Sequence, residues 1–180
     1  MSYPVFATGD VLNASDMNAV GLWLVKTQTV GSAVSSVTVT NAFTADYDNY
    51  RVIYDGGTAS VDAAFNVQLG STATGYHYSI VYQQYNAATP LGVGAANTTS
   101  WPNAGRQSTV RNSLVLDIFA PYLSTYSGIR YAGVDYLATS GYMITGGGML
   151  NNTTSYTDLK INAGSGTISG GTVRVYGYRN

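Results

Sequence analysis

The chain has 180 residues, enough for one domain with a sizeable core and too few for two ordinary ones. Hydrophobic residues make up 45% of it and charged residues only 9%, every acid is aspartate, and the formal net charge is −1. That balance argues against a nucleic-acid groove or an anionic membrane surface, which need clustered Lys and Arg, and the absence of cysteine excludes disulfides and thiolate metal sites.

With no Glu and only two Lys, the residues that usually cover exposed helix faces are missing, so the solvated surface falls to Ser, Thr, Asn and Gly. That is a β composition. Met1-Ser2-Tyr3-Pro4 has neither the basic start nor the apolar run of a signal peptide, and no stretch approaches the roughly 18 apolar residues of a membrane span. Residues 1–12 read as extended, with a turn at Gly9-Asp10. The one helical reading falls within residues 6–25. Asn13 or Ser15 can cap a helix, Asp16 suits its positive end, and Met17, Val20, Gly21 and Leu24 recur at helical spacing with Trp23 beside the stripe. A helix this short needs a docking surface. Phe6, Val11, Leu12, Met17, Val20, Trp23 and Leu24 form the apolar set that would attach it to another protein, although the same stripe would serve to pack it on its own domain or plug the base of an oligomer. Residues 26–36 read as a polar connector, so residues 1–36 are expected to be an attachment segment and residues 37–180 a β-domain.

From Val37 the pattern alternates. Val37 and Val39 oppose Thr38 and Thr40; Tyr50, Val52 and Tyr54 oppose Arg51, Ile53 and Asp55; Phe65, Val67 and Leu69 oppose Asn66 and Gln68; residues 76–82 follow with aromatic and β-branched content. Residues 85–111, broken by Pro90, Pro102 and several glycines, predict a long loop of the kind that carries function. Strands resume at 113–119, 129–137, 142–150, 158–162 and 172–179. Eight or nine short strands after one helix predict an all-β fold, an antiparallel β-sandwich with a jelly roll as the expected form.

Residues 114–119 carry large apolar groups on both faces, and in 172–179 Tyr176 and Tyr178 share a face with Arg174 opposite Val173 and Val175. The outer face of a lone sandwich strand is expected to be polar. Val115, Phe119, Tyr176 and Tyr178 are therefore expected at a homo-oligomer interface, the competing reading being aromatic residues that tile an exposed sheet.

Catalytic chemistry is poorly supplied. His77 is the only histidine and no Gly-x-Ser-x-Gly turn exists. The aspartates fall mostly near turns, where a side chain bonds nearby backbone, rather than in a recognisable acid and base pair. Asp46-Tyr47-Asp48-Asn49 lacks the glycine and distant Glu of a calcium loop. Gly146-Gly147-Gly148 precedes no helix and reads as a bulge or close-packing site. Neither metal nor cofactor is expected, and the chain reads as a non-enzyme. Binding is better supplied, because sixteen tyrosines and two tryptophans among Ser, Asn and Gly make flat amphipathic surfaces. Tyr82, Tyr85 and Trp101, around the long loop, are the candidates for stacking on a sugar; Trp101 has the alternative of anchoring that loop.

The run Gly9-Asp10-Val11-Leu12-Asn13-Ala14-Ser15-Asp16-Met17-Asn18, then GLWLVKTQTVG, and further on YDNYRVIYDGG, FNVQLGSTATGY and GGTVRVYGYRN, resembles small virion structural proteins of tailed bacteriophages, of the tail-fibre, minor-tail or capsid-fibre kind. The resemblance implies a particle component assembled in the host cytoplasm, held to other virion proteins by its N-terminal segment, commonly trimeric, with a distal β-domain; a host surface glycan is the ligand that the aromatic candidates Tyr82, Tyr85 and Trp101 would contact. A free lectin-like carbohydrate-binding module is the alternative, and a small glycan hydrolase a third.

Overall fold

The computed structural model describes residues 8, 9, 11, 21–137 and 141–178. Fourteen strands account for the regular structure of these residues: β1 (Leu22–Thr29), β2 (Ser36–Val39), β3 (Asn49–Asp55), β4 (Thr58–Ala59), β5 (Ala63–Leu69), β6 (Tyr76–Gln84), β7 (Leu91–Thr98), β8 (Trp101–Gln107), β9 (Ser113–Phe119), β10 (Ser127–Val134), β11 (Tyr142–Leu150), β12 (Leu159–Ala163), β13 (Ile168–Ser169) and β14 (Thr172–Tyr178). Every pairing is antiparallel, and no helix occurs among the described residues.

The strands run β2-β12-β5-β8 in one stretch and β1-β14-β3-β9-β10-β11-β6-β7 in the other, joined at β8 and β9 by the single pair Arg106 and Ser113. One apolar core lies between them. Val37, Val39, Phe65, Val67, Leu69, Leu159 and Ile161 enter it from the four-stranded part, and Tyr50, Val52, Tyr54, Leu114, Leu116, Ile118, Val173 and Val175 from the eight-stranded part. The period-2 alternation read in 49–55, 65–69, 114–118 and 172–178 is therefore a true inside–outside pattern. The small pair β4 and β13 closes one end, where Gly57, at φ 67°, lies so close to the backbone of Gly170 that a Cβ would sit 2.3 Å from its carbonyl oxygen.

Two expectations are corrected. Residues 22–25 are strand rather than helix: Leu22 and Leu24 point outward, Trp23 and Val25 are half-buried, and β1 pairs along β14 with a bulge between Leu24 and Lys26. The helical spacing of Leu24 with Met17 and Val20 competes with a short continuous apolar run, residues 22–25, that suits a strand equally well, and β1 pairs along the edge of β14. The expected connector is likewise strand as far as Thr29, so the β-body includes residues from Leu22 onward. The rest of the helical reading, with Phe6, Leu12, Met17 and Val20, lies outside the described residues. The expected long loop at 85–111 is instead largely β7 and β8. Small residues in β7 and Pro102 and Gly105 in β8 hide the alternation, and β8 departs from regular register against β5 between Phe65 and Val67.

Candidate functional site

Cross-strand register lays the outward side chains of the eight-stranded part in rows. One row reads Leu22, Tyr178, Asn49, Phe119, Gly128, Met149, His77. The next reads Leu24, Tyr176, Arg51, Asp117, Arg130, Gly147, Ser79, and the third Thr27, Arg174, Ile53, Val115, Ala132, Thr145, Val81. Two strips of this face are apolar and exposed: Leu22 and Leu24 on β1, beside Tyr176, and Val134, Met143 and Val81 on β10, β11 and β6. Val115 and Phe119, on β9, lie between them at 37% and 40% exposure. Tyr176 and Tyr178 share the same face, half-buried.

The centre of the face is polar. Arg51, Asp117 and Arg130 are directly opposite one another on three adjacent strands. Arg51 donates from Nε and Nη2 to the two carboxylate oxygens of Asp117 at 2.8 and 3.0 Å, Arg130 Nη2 donates at 3.0 Å, and the Tyr178 hydroxyl donates at 2.7 Å. Burial alone would raise the Asp117 pKa, but the hydrogen bonds from Arg51, Tyr178 and Arg130 and the nearby Arg51 charge outweigh it and hold the carboxyl at about 2. Burial raises the Tyr178 hydroxyl, reinforced by its bond to Asp117. This arrangement ties four strands together across β14, β3, β9 and β10.

A second feature lies on the inner side, bounded by β6, β7, β8 and β11. Ile80, Tyr82, Val93, Asn103, Arg106 and Tyr142 line a hollow of about 210 Å³. The rings of Tyr82 and Tyr142 meet edge to face with centroids 5.8 Å apart, and the Arg106 guanidinium lies 5.2 Å from the Tyr142 centroid. Asp135 fixes the surroundings. Its carboxylate oxygen Oδ2 takes both Arg106 Nε and Nη2 at 2.9 Å, its N–H donates to the Tyr142 carbonyl, and its carbonyl accepts the Tyr85 hydroxyl at 2.7 Å. Its other oxygen, Oδ1, is buried with no hydrogen-bond partner.

Of the three residues expected to stack on a sugar, only Tyr82 lines this hollow. Trp101 is a correction: it is fully buried, 4.9 Å edge to face from Tyr76, and its indole packs where a Cβ on Gly148 would sit. A ring with no exposed face cannot stack on a ligand, so Trp101 is a core anchor. Tyr85 is exposed, but its hydroxyl is engaged by Asp135. Tyr142, Arg106, Asn103 and Asp135 are the residues that sequence reasoning missed. Tyr142 alternates with Ile144 and was legible as an inward aromatic, whereas nothing local pairs Arg106 with an aspartate 29 positions away.

Of the residues expected to attach the chain, Val11 is exposed, Trp23 is half-buried with its Nε1 buried and unpartnered, and Leu24 joins the outer face. His77 lies on the outer face opposite Met149. Several aspartates serve the backbone: Asp62 accepts from the Thr109 N–H at 2.8 Å, which lowers its pKa, and Asp158 accepts from the Asn41 N–H at 2.9 Å. Asp55 is lowered by its bidentate partner Arg111. Among the described residues no three His, Asp or Glu side chains gather as a metal would need. No protein-family model matches the chain, and no curated protein matches its sequence.

Proposed function

We propose that the chain is a structural component of a phage particle, present as a homotrimer that holds to other virion proteins through residues upstream of β1 and presents its β-body to the host surface. The observation that carries this reading is the outer face of the eight-stranded part, with two separate apolar strips on either side of the Arg51, Asp117 and Arg130 cluster. An exposed apolar surface of this kind marks an interaction site. A ring of identical copies needs two different patches on each chain, one meeting the other on its neighbour. The strip at Leu22 and Leu24 and the strip at Val134, Met143 and Val81 supply such a pair, with Val115, Phe119, Tyr176 and Tyr178 between or beside them. The resemblance of the N-terminal run to tailed-phage virion proteins supports the particle assignment and the number three.

The strand order supports a jelly roll. In that reading β2-β12-β5-β8 forms one sheet, β3, β11, β6 and β7 form the other, the β9 and β10 hairpin is inserted into the second sheet, and β14 and β1 extend its edge.

Light scattering tests the oligomer. The expected molar mass is about three times that of the 19.0 kDa chain, and Met143→Asp or Val115→Asp is expected to shift it towards one chain while the circular dichroism of the β-body is retained. A single-chain mass at every workable concentration removes the trimer. Co-sedimentation with particles, lost on deleting residues 1–20, tests the attachment; a chain that never sediments with particles favours the free lectin-like module instead.

A further inference from the structure

We infer that the hollow between β6, β7, β8 and β11 is a binding site for one neutral pyranose ring, with Tyr82 and Tyr142 as its aromatic walls and Asn103 and Arg106 as its polar contacts. This deepens the host-surface contact proposed above by giving it a place and a ligand class. The volume, about 210 Å³, lies below the range of pockets that take drug-sized ligands, and suits a single ring rather than a chain of them. Two tyrosine rings with Ile80 and Val93 suit the apolar face of a sugar, and Val93 and Leu91 extend that lining outward along β7 as exposed apolar groups.

The polar side of the hollow is donor-rich yet close to neutral. Arg106 is matched by the buried carboxylate of Asp135 and covered by the Tyr142 ring, so its charge is already compensated and an anion would gain little there. Hydroxyl groups need no such charge. Asn103 holds a left-handed φ of 56° and lines the hollow, and an asparagine side chain carries both donor and acceptor. Asp135 fixes the Tyr142 backbone and the Arg106 guanidinium, so this side of the hollow is set before a ligand arrives, which lowers the ordering cost of binding.

Saturation-transfer NMR on the full chain tests the assignment, with the methyl glycosides of glucose, galactose and N-acetylglucosamine as neutral probes and methyl glucuronide as the anionic one. At least one neutral probe is expected to bind saturably and more tightly than the glucuronide. Tyr142→Leu, which keeps apolar bulk, and Asn103→Gly, which keeps the left-handed backbone, are each expected to weaken binding by roughly tenfold. Absence of saturable binding by every neutral probe overturns the inference, as does a preference for the glucuronide or binding unchanged in both variants. Molar mass and particle co-sedimentation are read on the same preparations, so failure of the sugar site is distinct from failure of the particle assignment.

Discussion

Replacing Asp117 with Asn removes the one carboxylate on which Arg51, Arg130 and Tyr178 converge, and leaves two guanidiniums facing each other across β9. The carboxyl is held at about 2 against an ordinary 3.8, and by linkage that depression corresponds to ~2 kcal/mol of stability at neutral pH. The side chain of Asp117 is only 8% exposed, so solvent screening removes little of this. Because the folded-state pKa lies below the unfolded one, the contribution is complete above about pH 5 and is lost as the pH falls through about 2. Asp117→Asn is therefore expected to lose ~2 kcal/mol in urea unfolding at pH 7, with a melting temperature lower by roughly 4–8 °C. The difference from the parent chain should be small at pH 2 and vanish below it. The two partners should also rank. Arg130 is 70% exposed and its pair is screened, so Arg130→Gln costs less than about 1 kcal/mol, while Arg51→Gln, which loses two hydrogen bonds at a half-buried position, costs more. All measurements are made at one protein concentration, since association shifts the midpoint. A penalty for Asp117→Asn that is the same at pH 2 and pH 7 would refute the electrostatic account and leave only packing.

Gly148→Ala places a Cβ 2.1 Å from the His77 carbonyl oxygen and 2.9 Å from Trp101 Nε1, and is expected to cost roughly 1–3 kcal/mol with a change in tryptophan fluorescence. Gly92→Ala, whose Cβ finds nothing closer than 3.8 Å, is the control and should stay within about 0.5 kcal/mol of the parent in the same urea titration. Tyr76→Phe removes the buried hydroxyl that accepts the Leu69 N–H at 2.9 Å and donates to the Thr72 carbonyl, and should cost about 1–3 kcal/mol with faster amide exchange at Leu69.

The core strands were legible because their chemistry is local. Alternation over Asn49–Asp55, Ala63–Leu69 and Thr172–Tyr178 needs nothing beyond the pleat to decide which side faces in. The outward apolar groups of β9 were legible for the same reason. What the sequence hid depends on neighbours. Trp23 and Leu24 fit either a helix or a strand, and the open edge of β14 decides between them. Trp101 sits in a Pro- and Gly-rich stretch that reads as an exposed loop, yet Gly148 on a strand almost fifty residues away leaves the space its indole fills. The hollow was half visible through Tyr82 alone, because Arg106, Asp135 and Tyr142 meet only when β8, β10 and β11 are in register.

The low charge count gains meaning from where the charges go. Among the described residues, Arg51 and Arg130 meet Asp117, Arg106 meets Asp135 and Arg111 meets Asp55, so most of the arginines are tied to aspartates rather than left to hydrate the surface. Such pairs give little net stability where exposed and carry a desolvation cost where buried. Their effect is to fix which strands lie beside which, since Arg51, Asp117 and Arg130 align only in one register and a one-residue slip of any one of the three strands would turn its own member of the cluster to the core. With its cations held this way, the outer face keeps Leu24, Val115, Phe119 and Met143 in the open and has few charges to keep other copies away. Soluble single-chain proteins usually protect a broad sheet with scattered lysines, and this chain has only two, Lys26 and Lys160, neither on that face. The same shortage that marks the composition as unusual thus leaves the apolar groups of an eight-stranded surface exposed, which is the condition that the homotrimer proposed above requires.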